Sequence, residues 1–192
     1  MHPTIEERDR IGVFCGARAG VRPEYIQFAT EFGAALARRG VGLVYGAGGI
    51  GVMGALADAV LAGGGRVTGV IPHSLHERER ADQARGEIFV VRSMHQRKDL
   101  MYRLSSGFAI LPGGIGTLDE LMEVATWNQL ALIAKPLVVV NCRGFFDPML
   151  DMLDHLVGEG FLSVGERRLI QVADSVDEAF ERLGTRKEPV AA

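Results

Sequence analysis

The sequence predicts an α/β fold of the Rossmann-like, doubly wound type: a mostly parallel sheet with helices on both faces. Three observations carry this reading. Short apolar, β-branched runs alternate with stretches of helical period along the whole chain. The strand-like runs are continuously apolar, as suits strands covered on both faces. The chain also holds 25 glycines, concentrated directly after those runs, where strand-to-helix turns must be sharp.

In order, the run at 11–15 (IGVFC) reads as the first strand, followed by the turn Gly16–Gly20 and a helix over 23–39. A strand at 42–45 leads through the glycine-rich segment 46–54 into a helix over 50–62. Strands at 66–71 and 88–91 flank a charged stretch, 74–85 (SLHERERADQAR), which lacks core periodicity; it reads as a solvated surface loop, or as a lid with a polar ligand contact. A helix over 94–105, a strand at 107–111 and a helix over 118–132 come next. The pattern closes with a strand at 137–141, a helix over 148–159, a candidate seventh strand at 169–172 and a helix over 176–183. Right-handed βαβ crossovers would join these parallel strands. Residues 1–192 are expected to form a single nucleotide-binding domain, with 1–10 and 185–192 as flexible tails.

Hydrophobic residues make up 47% and charged residues 23% of the 192-residue chain, ordinary values for a globular protein. The net charge of −3 lacks the basic excess of a nucleic-acid binder, so no nucleic acid is expected as partner. Nothing approaches the ~18 consecutive apolar residues of a membrane span, so no membrane association is expected. The first ten residues are polar and do not resemble a signal peptide, which points to the cytoplasm. Cys15 and Cys142 lack metal-ligand or redox spacing and read as small buried hydrophobes. No metal site and no cofactor are expected.

The most informative segment is 112–120 (PGGIGTLDE), between an apolar strand and an amphipathic helix. A glycine-rich turn at a helix start lets backbone N–H groups approach an anion, and the helix dipole favours negative charge there. Thr117-x-x-Glu120 also fits a plain capping box. Three glycines, Gly113, Gly114 and Gly116, exceed what a cap requires and clear side chains from a patch of backbone. Asp119 and Glu120 point ~100° apart on a helix, so paired-carboxylate chemistry is disfavoured and Asp119 reads as a dipole-favourable surface residue. The stripe of Met122, Trp127 and Leu130 reads as core.

Gly46, Gly48 and Gly51 match the dinucleotide fingerprint GxGxxG, after a strand and before a helix. The acidic residue that should hold a ribose ~20 positions on is absent, since the next strand ends Val70-Ile71-Pro72-His73. Contact of Gly46, Gly48 and Gly49 with phosphate or ribose fits, whereas a nicotinamide cofactor does not. Arg97 and Lys98 sit in a first helical turn, where basic residues oppose the dipole unless an anion is bound. In open α/β sheets ligands bind beyond the carboxyl ends of the strands, so Gly16–Gly20, 46–54 and 112–116 would gather in one crevice.

These residues make the chain similar to the LOG ("lonely guy") family of cytokinin riboside 5′-monophosphate phosphoribohydrolases, older members of which were labelled lysine decarboxylases. The similarity rests on Val13-Phe14-Cys15-Gly16, the 43–54 segment (LVYGAGGIGVMG), Gly69-Val70-Ile71-Pro72, the 94–98 segment (MHQRK) and PGGIGTLDE, the last two being highly specific. Departures are small: Cys-Gly-Ala-Arg stands where Cys-Gly-Ser-Ser is common, and Gly-Ala-Gly-Gly where Gly-Gly-Gly is usual. The resemblance implies hydrolysis of the N-glycosidic bond of an N6-substituted AMP to a free cytokinin base and ribose 5-phosphate, extending to AMP itself.

By the same resemblance the catalytic positions fall on Arg97 and Glu120. Substrate contacts fall on Glu79, Lys98, Gly114, Ile115, Gly116, Thr117 and Thr126, with Gly16 and Gly113 adding backbone from the glycine turns. A homodimer is also implied. Glu120 would stabilise an oxocarbenium-like sugar and orient the attacking water, while Arg97 would anchor substrate or stabilise charge on the departing purine. A non-catalytic module binding AMP-like nucleotides is the alternative. A decarboxylase would need a pyridoxal phosphate lysine, and neither Lys98 nor Lys135 has a convincing context.

Overall fold

The computed structural model describes residues 10–75 and 84–185. Seven strands form one sheet in the order β4-β3-β2-β1-β5-β6-β7, every neighbouring pair parallel. They are β1 (Arg10–Phe14), β2 (Gly42–Tyr45), β3 (Val67–Pro72), β4 (Glu87–Val91), β5 (Gly107–Ile110), β6 (Leu137–Val140) and β7 (Ile170–Ala173). The helices are α1 (Glu24–Arg38), α2 (Gly51–Ala62), α3 (Met94–Leu104), α4 (Ile115–Gln129), α5 (Asp147–Gly158), α6 (Val164–Arg167) and α7 (Val176–Arg182).

Two apolar layers sandwich the sheet, as the doubly wound reading requires. On one face α1, α2 and α7 bury Phe32, Leu36, Leu56 and Phe180, with Phe32 stacked on Phe180 at 4.9 Å between centroids. On the other, α3, α4 and α5 bury Met101, Tyr102, Leu121 and Leu153 against Phe14 and Phe108. Met122 and Trp127 pack against this layer, Trp127 edge-on to Tyr102 at 4.5 Å, in keeping with their reading as core, whereas Leu130, at the end of α4, is 61% exposed. The α1 face recurs as Ala29, Phe32, Gly33 and Leu36, the period of an amphipathic helix. Gly33 brings α1 close to α2, since a Cβ there would lie 2.5 Å from the Leu56 carbonyl oxygen. Asn141 shapes the turn after β6: its Oδ1 accepts from Phe146 N at 2.8 Å and its Nδ2 donates to Asp147 Oδ1 at 2.7 Å.

The strand order reverses at β1, which lies between β2 and β5. The crevice of an open α/β sheet opens at such a switch point. Here the turns leaving β1 and β5 are the two glycine-rich segments 16–20 and 112–116, and Gly16 N donates to Pro112 O at 3.0 Å between them.

The structure departs from the sequence reading at three elements. Helix α4 begins at Ile115, three residues earlier than the pattern suggested, with Gly114 as an extended N-cap and no side-chain cap bond. Thr117 therefore sits inside the helix and makes no capping box with Glu120. At α3 the N-cap Ser93 Oγ accepts from Gln96 N at 3.2 Å, while Gln96 Oε1 reaches past the cap to accept from Arg92 N at 2.9 Å. The single turn α6 was not anticipated, although Ser163-x-x-Glu166 is the capping box that starts it. Finally, β4 is an edge strand paired only with β3, so its apolar run is not buried on both faces and Phe89 and Val90 remain exposed.

Candidate active site

A cavity of about 710 Å³ opens at the β1/β5 switch point. Its walls come from the first turn (Cys15–Gly20), from Val52 and Met53 at the start of α2, from Met94 and Arg97 on α3, and from Pro112–Thr117, Asp119 and Glu120. Tyr25, Leu75 and Phe145 add apolar side chains to the lining. Tyr25 and Phe145 meet edge-to-face at 5.4 Å between centroids.

Arg97 is fixed by the start of its helix. The Ser93–Gln96 cap sets the first turn of α3, and Arg97 N donates to Ser93 O at 3.0 Å. The side chain is only 4% exposed. Its Nη2 donates to the Gly46 carbonyl at 3.1 Å and its Nη1 lies 3.9 Å from Met94 Sδ. Nε is buried without a hydrogen-bond partner. A buried donor left in this state costs ~1–3 kcal/mol.

Glu120 reaches the same cavity from the second turn of α4 and is 8% exposed. Its charge is felt nearby. Burial, and after it the Glu120 carboxylate, pushes the Cys15 thiol well above the usual range. The Tyr102 hydroxyl is likewise pushed up, by burial first, then Glu123, with Glu120 adding to it. A guanidinium and a carboxylate thus border one pocket beside a stretch of bare backbone.

The glycines divide by what surrounds them. At Gly113 a Cβ would collide with Thr117 Oγ1 and lie 2.8 Å from Gly16 N, so close packing of the two turns demands glycine there. At Gly114 and Gly116 a Cβ would meet nothing within 4 Å. Gly51, at φ +66°, allows α2 to approach the first turn, where a Cβ would stand 2.5 Å from Ala17 O. Met53 N also donates to Gly16 O at 3.1 Å. The three glycine-rich segments therefore converge, as the sequence led us to expect.

Of the residues singled out in the sequence, Gly16, Arg97, Gly113, Gly114, Ile115, Gly116, Thr117 and Glu120 line the cavity. Gly46, Gly48 and Gly49 do not: Gly46 cradles Arg97, and the Gly49 carbonyl backs onto Gly54 of α2. The fingerprint serves close packing of α2 on the first turn, and the wall residues it delivers are Val52 and Met53. Thr126 is exposed on α4 and donates to Met122 O at 2.7 Å, away from the cavity. Lys98 is also off the wall, with its Nζ between Asp119 and Glu123 at 2.7 and 2.6 Å. Asp119 is exposed, as its reading as a surface residue has it, and it also borders the cavity and pairs with Lys98. Glu79 lies outside the described residues. Among the described residues no cluster of His, Cys, Asp and Glu could hold a metal ion. Sequence reasoning missed Tyr25 and Phe145, which no motif marks and which reach the cavity only through the turn after β6 and the start of α1.

Comparison with known proteins places this arrangement. Residues 53–183 match the profile of a family described as "possible lysine decarboxylase". The cytokinin riboside 5′-monophosphate phosphoribohydrolase LOG of Oryza sativa subsp. japonica is 45% identical over 174 residues, covering 91% of this chain and 72% of that protein. A phosphoribohydrolase of the same name series from Arabidopsis thaliana, LOG1, is also 45% identical, covering 91% of this chain and 82% of its own. Among solved structures, the molybdenum cofactor carrier protein of Chlamydomonas reinhardtii superposes with a TM-score of 0.67 at 21% identity, covering 92% of this chain and 96% of that one. At that identity the likeness concerns the fold alone.

Proposed function

The chain belongs to the family of cytokinin riboside 5′-monophosphate phosphoribohydrolases, and on that premise we propose that it hydrolyses the N-glycosidic bond of N6-substituted AMP, and of AMP itself. Water adds a hydroxyl to C1′ of the ribose as the C1′–N9 bond breaks. The bonding pair and a proton go to the base, leaving ribose 5-phosphate and the free cytokinin. The observation that carries this reading is the placement of buried Arg97 and Glu120 on one cavity with the bare backbone of 113–117.

Glu120 is proposed to face the anomeric carbon, where its charge stabilises the oxocarbenium-like sugar and its oxygen orients water. The helix start at Gly114–Thr117 suits phosphate or ribose oxygens. Arg97 brings a buried guanidinium to the cavity wall, where it suits an anionic substrate. The edge-to-face pair Tyr25 and Phe145 in the lining suits a purine with an apolar N6 group. A decarboxylase reading has less support: Lys98 is held by two carboxylates, Lys135 Nζ donates to the carbonyls of Tyr102 and Ser105, and neither lines the cavity.

The same reading makes the protein a cytoplasmic homodimer acting on a small nucleotide rather than on nucleic acid. Exposed Ile115, 87% accessible at the cavity rim, together with Met94 and Leu118, suits cover by a second copy. The net charge of −3 suits neither nucleic acid nor an anionic membrane surface, and among the described residues no helix is long and apolar enough to cross a membrane.

The test is chromatography of N6-isopentenyl-AMP, AMP and the matching riboside after incubation with the protein and with Glu120→Gln. Free base from the monophosphates but not the riboside, lost in the variant, supports the proposal. AMP binding without base release from any of them leaves a binding module instead.

A further inference from the structure

Arg97 and Glu120 stand on different helices, and the residues beside them in sequence are bonded to each other. Lys98, next to Arg97 on α3, places Nζ 2.7 Å from Asp119 Oδ2, next to Glu120 on α4. The same ammonium lies 2.6 Å from Glu123 Oε2, one turn further along α4. Glu123 Oε2 also accepts from Tyr102 Oη at 3.0 Å, one turn beyond Lys98 on α3. Lys135 then holds the end of α3, its Nζ donating to the carbonyls of Tyr102 and, at 2.6 Å, Ser105. The Lys98 side chain is 13% exposed and that of Glu123 25%, so their pair is shielded from solvent, whereas Asp119, at 56%, is partly screened. Burial alone would lower the Lys98 pKa, but the two carboxylates outweigh it and hold it above the usual range, fully charged.

A lysine reserved for phosphate would present its ammonium to the cavity, yet Lys98 is off the wall while Asp119 is on it. Turning Lys98 toward a ligand would break two charge-assisted bonds and leave Asp119 and Glu123 unneutralised beside an incoming phosphate. We infer that Lys98 is a positioning residue: it ties α3 to α4 through Asp119 and Glu123 and so fixes Arg97 and Glu120 across the cavity, without touching the nucleotide. This rests on the catalytic reading of the cavity given above. Sub-ångström placement of the two groups matters because misplacement near 1 Å can cost ~100-fold in rate.

The experiment compares unmodified protein with Lys98→Met, Lys98→Arg, Glu123→Gln and the Lys98→Met/Glu123→Gln pair, measuring base release and AMP affinity by calorimetry. Lys98→Met is expected to lower kcat ~10- to 100-fold while KM and the AMP Kd stay within about threefold. Lys98→Arg, able to bridge both carboxylates, should restore most of kcat. Glu123→Gln should lower the same parameter less, and the double variant should be no worse than Lys98→Met, as one shared device requires. A rise of about tenfold or more in KM or AMP Kd for Lys98→Met overturns the inference, as does an unchanged kcat in Glu123→Gln. If Lys98→Met does not fold, Glu123→Gln and Lys98→Arg still decide by kcat. No base release from the unmodified protein would sink the catalytic reading instead, and the AMP Kd of Lys98→Met would still report whether Lys98 touches the ligand.

Discussion

Gly46 and Arg97 occupy one another's space: the Gly46 carbonyl accepts from Arg97 Nη2 at 3.1 Å, and a Cβ at position 46 would run into that same nitrogen. The glycine that opens a dinucleotide fingerprint here makes room for a guanidinium. Gly46→Ala should therefore displace Arg97 while leaving the sheet intact. We expect kcat for base release to fall ~10- to 100-fold with a stability loss of about 1–3 kcal/mol, measured by turnover beside urea unfolding. Wild-type turnover in a folded Gly46→Ala protein would show that the Arg97 position is not critical.

The turn 113–116 separates packing from ligand contact by substitution. Gly113→Ala places a methyl against Thr117 Oγ1 and the Gly16 amide, so it should cost ~1–3 kcal/mol of stability. Gly114→Ala and Gly116→Ala meet open space. Gly116 lies in the first turn of α4, where alanine should even stabilise by up to ~1 kcal/mol. If both nevertheless raise KM for the monophosphate, the bare backbone exists for the ligand. Unchanged kinetics in both would remove phosphate from this turn.

The strand and helix pattern was legible because the strands are short apolar runs, and the common crevice because three of them, β1, β2 and β5, lead into glycine-rich turns. The 112–117 turn stood out because its three glycines exceed what a helix cap requires, and Arg97 because a basic residue near a helix start opposes the dipole, whereas Glu120 was singled out through its place in that turn and the family resemblance. Three things could not be read. The edge position of β4 depends on sheet order, which a run of apolar residues does not encode. The pairing of Lys98 with Asp119 and Glu123 depends on how α3 packs against α4, which the local pattern around Lys98 does not encode. Tyr25 and Phe145 are ordinary apolar residues until the sheet brings α1 and the turn after β6 together.

Cys15 lines the cavity but should not behave as a reactive thiol. Burial first, and Glu120 second, raise its pKa, so the thiolate that would attack an alkylating reagent is scarce at pH 8. Burial likewise pushes Cys142 upward. Native protein treated with iodoacetamide at pH 8 should stay unmodified at both cysteines by mass spectrometry, and both should react after unfolding. Rapid stoichiometric labelling of Cys15 in the native protein would mean that the cavity floor opens to solvent.

Tyr102→Phe isolates one bond of the α3–α4 tie. The ring packs edge-on against Phe14, Phe108 and Trp127, and phenylalanine keeps all three contacts. Only the hydroxyl that donates to Glu123 is lost. Burial first, then Glu123, hold the Tyr102 pKa up, so that hydroxyl stays a donor throughout the working pH range. Because Glu123 keeps Lys98, the loss should be ~1.5 kcal/mol, at the low end for a bond to a charged acceptor. Tyr102→Ala also removes the ring and should cost ~3–5 kcal/mol. Urea midpoints at constant m-value measure the difference. A Tyr102→Phe loss as large as that of Tyr102→Ala would mean that the hydroxyl, and not the aromatic packing, holds α3 against α4.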